Sequence, residues 1–110
     1  MKIDTALKAR RDIDRIGSYI RNKLYNPTAA NKIVNKIYEK IDRIAEFPGK
    51  GVPIGPLLGI DIHYRFAVCG NYKIFYRHEA DTIYIDRVLH NKQDYMKVLF
   101  DNKKVHKPFG

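Results

Sequence analysis

The stretch "NYKIFYRHEADTIYIDRVLHNKQDYMKVLF", residues 71–100, decides the fold. Tyr72, Ile74 and Tyr76 alternate with Lys73, Phe75 and Arg77, and "TIYIDRVL" resumes the same alternation after the turn-forming "HEAD". Period two broken by a tight turn is the pattern of an antiparallel hairpin. The stretch also carries Lys73, Arg77, Arg87, His90, Lys92 and Tyr95 on or beside its strands. Either these basic groups form a solvated sheet face or they grip something negatively charged.

Immediately upstream, "DIHYRFAVC" predicts a further strand over residues 61–69, with Gly70–Asn71 as the turn into the next. Alternation there assigns Ile62, Tyr64, Phe66 and Val68 to the apolar face and His63, Arg65 and Ala67 to the other. The three strands form an antiparallel meander. Before them, the segment from Phe47 to Gly59 is dense in Pro and Gly and reads as a loop, marking the change from helical to β periodicity.

Further upstream the period changes. Ala9, Ile13, Ile16, Ile20 and Leu24 recur at spacings of three and four, one stripe of an amphipathic helix over about residues 7–24. Asn26 and Pro27 then offer an N-cap and a first helical residue. The second stripe is Ala30, Ile33, Val34, Ile37, Ile41 and Ile44. Two helices with so short a connection form an antiparallel hairpin, which covers the sheet because both apolar surfaces need burial. The expected class is α+β: an N-terminal helix hairpin on a small twisted antiparallel sheet. Ile3 and Thr5 are a candidate edge strand. Tyr95, Val98 and Leu99 fit a short C-terminal helical turn folding back on the body, so residues 1–100 read as one domain and 101–110 as a basic, mobile tail.

Composition narrows the partners. The chain has 110 residues with 21 Lys plus Arg against 12 Asp plus Glu, a formal charge of +9. That excess favours nucleic acid, an acidic protein or an anionic surface. Cys69 is the sole cysteine, which excludes an intramolecular disulfide. With neither a signal-like apolar region nor a run near the ~18 apolar residues of a membrane span, a cytoplasmic protein without membrane contact is expected. His63, His78, His90 and His106 are scattered, so neither a metal nor another cofactor is expected.

The ordered set "A-x-x-D-I-x-x-I-x-x-Y-I" (Ala9 to Ile20), "F-P-x-x-G", "R-F-x-V-x-x-N-Y-x-I-F-Y" and "I-x-I-x-R-V-L-H-x-x-x-D-Y" resembles the RelE/ParE superfamily of bacterial type II toxins. The resemblance implies a compact toxin neutralised by a cognate antitoxin protein. It leaves two activities open on one fold. RelE-like members cleave mRNA in the ribosomal A site; ParE-like members poison DNA gyrase and make no cut.

Metal-free RNA cleavage needs a base for the 2′-hydroxyl, cations for the pentacoordinate phosphate and an acid for the leaving 5′-oxygen. Alternation sets Arg65 and Lys73 on the non-core face, with Arg87 late in the third strand and His90 at its end. Strands ~4.8 Å apart let cations from three of them converge on one phosphate. His90 has the unperturbed pKa closest to neutral. By resemblance, Lys73 stands where RelE-like toxins carry a catalytic or phosphate-holding base, and Tyr95 looks like their C-terminal aromatic. Each has a plainer reading. Arg65 and Lys73 on a solvated face need no function, Arg87 pairs with Asp86 or a helix carboxylate, His90 merely ends a strand, and Tyr95 packs.

Arginine at position 65 departs from the lysine-rich RelE pattern and is shared with ParE-like chains. His90, Lys92 and Tyr95 lean the other way. The expectation is therefore a ribosome-dependent mRNA endonuclease leaving 2′,3′-cyclic phosphate and 5′-hydroxyl ends and docking on rRNA. His90, Lys73 and Tyr95 would be catalytic, and Arg65, Arg87 and Lys92 would hold phosphate. The alternatives are a gyrase poison or a chain that has lost its toxicity but still binds an antitoxin.

Overall fold

Helix periodicity in the first half of the chain and strand periodicity in the second produce two layers. The computed structural model describes residues 1–59, 63–93, 97 and 99. The elements are β1 (Lys2–Thr5), α1 (Leu7–Asn22), α2 (Pro27–Glu46), β2 (Val52–Pro53), a one-turn α3 (Gly55–Leu58), β3 (Tyr64–Cys69), β4 (Tyr72–Glu79) and β5 (Thr82–His90), with a 3-10 turn at Pro48–Lys50. Among the described residues no helix is long and apolar enough to cross a membrane.

The hairpin forms where the sequence breaks. Asn26 Oδ1 accepts a hydrogen bond from Ala29 N at 3.0 Å, and Pro27 opens α2. α1 ends at Asn22, two residues short of the expected Leu24, because Tyr25 turns to a positive φ of 52°. Gly17 allows the two helices to close, since a Cβ there would meet Val34 Cγ2 at 3.0 Å.

The sheet order is β1-β5-β4-β3-β2. β3, β4 and β5 form the expected antiparallel meander. The sheet is mixed rather than wholly antiparallel, because β1 lies parallel to β5 with Lys2 opposite Thr82 and Thr5 opposite Ile85. The loop expected over residues 47–59 also supplies a two-residue edge strand, with Val52 opposite Phe66 and Pro53 opposite Arg65. β3 starts at Tyr64, not at Asp61; residues 60–62 lie outside the described set.

Both faces of the sheet are covered. The main core joins Ala9 and Ile13 of α1 and Ile37, Ile41 and Ile44 of α2 to Ile74, Tyr76, Ile83, Ile85 and Val88. Beneath the sheet a smaller cluster holds Ile54, Phe75 and Leu89, with Tyr64, Phe66 and Leu99 against it. That second cluster reverses the expected faces of β3. Register sets Arg65, Ala67 and Cys69 beside Tyr76, Ile74 and Tyr72 on the helix side, while Tyr64, Phe66 and Val68 face away. The small Ala67 and Cys69 suit close packing under the helices, and the aromatics fill the space beneath. Leu99 does fold back onto the body as expected, whereas Tyr95, Val98 and the tail at 101–110 lie outside the described residues.

Candidate functional site

The reversal of β3 separates the expected site. Arg65 now lies on the helix side, where its Nη1 donates to Gly51 O at 2.8 Å and more loosely to Gly49 O at 3.4 Å. Beside it the buried Tyr76 hydroxyl donates to Pro48 O at 2.6 Å and accepts from Gly51 N at 3.1 Å. Arg65 and Tyr76 together clamp the turn after α2. Lys73 lies on the opposite face, its Nζ donating to Asn91 Oδ1 at 3.0 Å and standing 5.4 Å from the Phe66 ring centroid.

Arg87 is held at a third place. β4 and β5 slip by one residue between Phe75 and Tyr76, so that Phe75 faces Arg87 and Tyr76 faces Ile85, with Asp86 extra. Such a bulge re-aims side chains. Asp86 accepts from Arg77 Nε at 3.1 Å, while Arg87 reaches Asp12 of α1 with Nε–Oδ2 at 2.8 Å and Nη2–Oδ1 at 2.9 Å. Asp12 also accepts from Val88 N at 2.9 Å, so it caps the edge of β5 where β1 has ended. The bond from Asp12 raises the pKa of Arg87 above its ordinary value, against the opposing effect of burial. Of the two pairings the sequence allowed for Arg87, the structure shows the helix carboxylate, Asp12.

His90 returns to the helix side, its ring edge-on to Tyr72 at 5.4 Å, with Nδ1 accepting from Lys92 N at 3.0 Å. Lys92 itself is exposed in the following turn. The structure thus places His90 and Lys73 on opposite faces, Arg65 toward the far end of β3 and the Arg87 guanidinium against Asp12 of α1. His90 and Lys92 come together, through the bond that Lys92 N donates to His90 Nδ1. Tyr95, the remaining candidate, lies outside the described residues.

Tyr64, Tyr72 and Tyr76 offer poor proton transfer. Burial, reinforced by Asp86, pushes the Tyr64 phenol up to about 12. Burial also raises Tyr72 and Tyr76. A group so far above neutral is a weak general acid. Phe75 is fully buried and cannot stack on a base, and Tyr84 lies under the Arg77 guanidinium at 4.3 Å. Among the described residues no group of three or more His, Cys, Asp or Glu side chains could hold a metal ion.

Residues 3–95 match the family described as the ParE toxin of the type II toxin–antitoxin system parDE. The chain belongs to the ParE toxin family. The fold of this ParE-family chain is similar to a chain of the solved "Chromosomal ParDE TA system from P. aeruginosa", with a TM-score of 0.68 and 20% identity over 82% of this chain and 95% of that one. No curated protein matches it significantly. The superfamily resemblance read from the sequence is upheld, on its ParE side.

A cleft of about 560 Å³ lies between α1, the start of α2 and the end of β5 of this ParE-family chain. Ile16, Tyr19, Leu24, Ile33, Tyr72 and His90 line it. Tyr19, Leu24 and the nearby Tyr25 are exposed apolar side chains. Sequence reading used Asp12 only as a residue of the resemblance, without its pairing to Arg87 and Val88 N, and gave the Tyr76 hydroxyl no role. The signal for Asp12 was a carboxylate directly beside Ile13 in the apolar stripe of α1; for Tyr76 no sequence signal named its partners.

Proposed function

We propose that this ParE-family toxin acts by binding DNA gyrase, without cutting RNA. The observation that carries this reading is the dispersal of the candidate catalytic groups. Lys73 and His90 stand on opposite faces of the sheet, and Arg65 and Arg87 are engaged with Gly51 O and with Asp12. A phosphate in transfer needs its base, acid and cations about one hydrogen bond from the reacting atoms. Membership in the ParE family supports the same reading, because that family usually inhibits gyrase.

A cognate antitoxin is the second partner proposed. An excess of basic residues totalling +9 suits an acidic, amphipathic segment that orders on binding. Exposed Tyr19, Leu24 and Tyr25 beside the cleft give its apolar face somewhere to lie.

The test is a pulse of expression followed by two readouts in the same cells. Plasmid relaxation or gyrase-linked DNA breaks with intact message is the expected result. Codon-phased cuts in mRNA, with supercoiling unchanged, would return the chain to the ribosome-dependent nuclease expected from its sequence.

A further inference from the structure

The sheet ends at β1, whose outer side no described strand covers. Lys2 N donates to Asp81 O and, just past the strand, Ala6 N donates to Ile85 O, each at 2.9 Å. Lys2, Asp4 and Ala6 therefore turn their backbone groups toward β5, and by the two-residue period of a strand Ile3 and Thr5 turn theirs outward. Ile3 thus presents an N–H and a C=O at an open edge. Its side chain, on the helix side beside Ile83, is 39% exposed. Met1 and Leu7 are exposed apolar side chains just outside the two ends of the strand.

Lys2 and Asp4 share the other face of the strand, with Thr82 and Tyr84. Both are exposed, and among the described residues neither has an ion-pair partner in its own chain. A charge on an edge strand ordinarily discourages pairing with another strand. These two charges have opposite sign and flank Ile3 symmetrically. An antiparallel copy of the strand, related by a twofold axis at Ile3, sets Lys2 opposite Asp4 on both sides of the axis. Moving the axis to Lys2 or to Asp4 sets like charges face to face, which destabilises a strand pair. Charge thus selects one register. On a chain of net charge +9, the side chains of residues 1–6 carry one positive and one negative charge, so a second copy meets no excess of like charge along this strand.

We infer that the β1 edge is a self-association surface, through which a second copy of this chain adds its own β1 antiparallel across a twofold axis at Ile3. The outward groups of the two Ile3 residues exchange both of their main-chain bonds, and each Thr5 N–H reaches the Met1 carbonyl of the other copy. Lys2 meets Asp4 twice, and the paired Ile3 side chains extend the apolar row begun by Ile83. Because the same patch serves both copies, the contact closes at a dimer and does not propagate. This inference is independent of the gyrase reading.

The test is sedimentation of the purified full chain over a concentration series, with charge reversals at the two exposed positions. The expected result is a reversible monomer–dimer equilibrium, weakened at least tenfold by Lys2→Asp alone and by Asp4→Lys alone. Mixing those two variants should restore it, because each then meets opposite charge at both positions of the other. Ile3→Pro removes the outward N–H and leaves the bonds to β5, so it should abolish the dimer while circular dichroism stays that of the parent. If that variant does not fold, the mixed charge reversals carry the same expectation. A monomer at every concentration up to about 1 mM, a dimer indifferent to both reversals, or a mixture that associates no more tightly than either variant alone would each overturn the inference. So would an Ile3 amide that gains protection from hydrogen exchange only when a different protein is added, which assigns the edge to that protein.

Discussion

Arg87 and Asp12, 75 positions apart in the chain, form a two-bond ion pair, Nε–Oδ2 at 2.8 Å and Nη2–Oδ1 at 2.9 Å. Asp12 is 4% exposed and also accepts from Val88 N. The pair fastens α1 to the edge of β5 beyond the end of β1. Removing one partner leaves a charge and a backbone N–H without compensation. Asp12→Ala should therefore cost about 3–5 kcal/mol, the range for breaking a buried pair. A urea melt of the variant, read by its midpoint at unchanged slope, checks this.

The clamp at the end of α2 should show a smaller effect. Tyr76→Phe removes the bonds to Pro48 O and Gly51 N and costs about 1–3 kcal/mol, the range for leaving buried polar groups unsatisfied. Gly51 is needed for close approach, since a Cβ there would collide with the Tyr76 hydroxyl. Gly51→Ala should destabilise as well, and combining it with Tyr76→Phe should cost less than the sum of the two. Thermal melts of the three variants give that comparison.

One turn is strained. Ala80, between β4 and β5, has a φ of 54°, a region that costs a residue with a Cβ roughly 1–2 kcal/mol. Ala80→Gly relieves that strain but gives an unfolded chain with more freedom to lose. The net expectation is a gain of about 0.5–1 kcal/mol, read as a higher denaturation midpoint.

Alkaline pH should unfold the protein through its buried phenols. Tyr64 sits at about 12 when folded, against an ordinary value of 10.0. The folded state holds its proton more tightly, so its contribution is fully present below about pH 10. It is lost as pH rises through about 12, where both states are ionised. Tyr64→Phe should flatten the fall of stability across that window, measured by denaturant midpoints at successive pH values.

Much of this architecture was legible from the sequence, and the limits have physical causes. Asn26–Pro27 and Gly70–Asn71 marked the two hairpins because capping and turn chemistry are local. The faces of β3 were misassigned because Tyr64 and Phe66 are apolar yet pack beneath the sheet, on Ile54, Phe75 and Leu89. A face rule that assumes one core fails when a sheet is covered on both sides. The same error drew Arg65 and Lys73 together on one imagined surface. For Arg87 the sequence allowed a helix carboxylate as partner, but only the folded chain selects Asp12, because the bulge at Asp86 redirects the side chain. The parallel pairing of β1 with β5 was hidden for a similar reason, as those strands lie at opposite ends of the chain.

Lys73 and His90 give the most discriminating pair of substitutions. If the toxin binds gyrase and does not cut RNA, Lys73→Ala should leave growth arrest within a few-fold of the parent, and Lys73→Ala with His90→Gln should not add a catalytic loss of the ~10²-fold or more typical of removing a proton-transfer group. Growth curves, with folding confirmed by circular dichroism, report the outcome.

The most direct measurement is ATP-dependent supercoiling of relaxed plasmid by purified gyrase, titrated with the purified protein. The account expects supercoiling to fall with added protein, with message intact in a parallel translation reaction. Undiminished supercoiling, together with codon-phased cuts ending in 5′-hydroxyls, would contradict it.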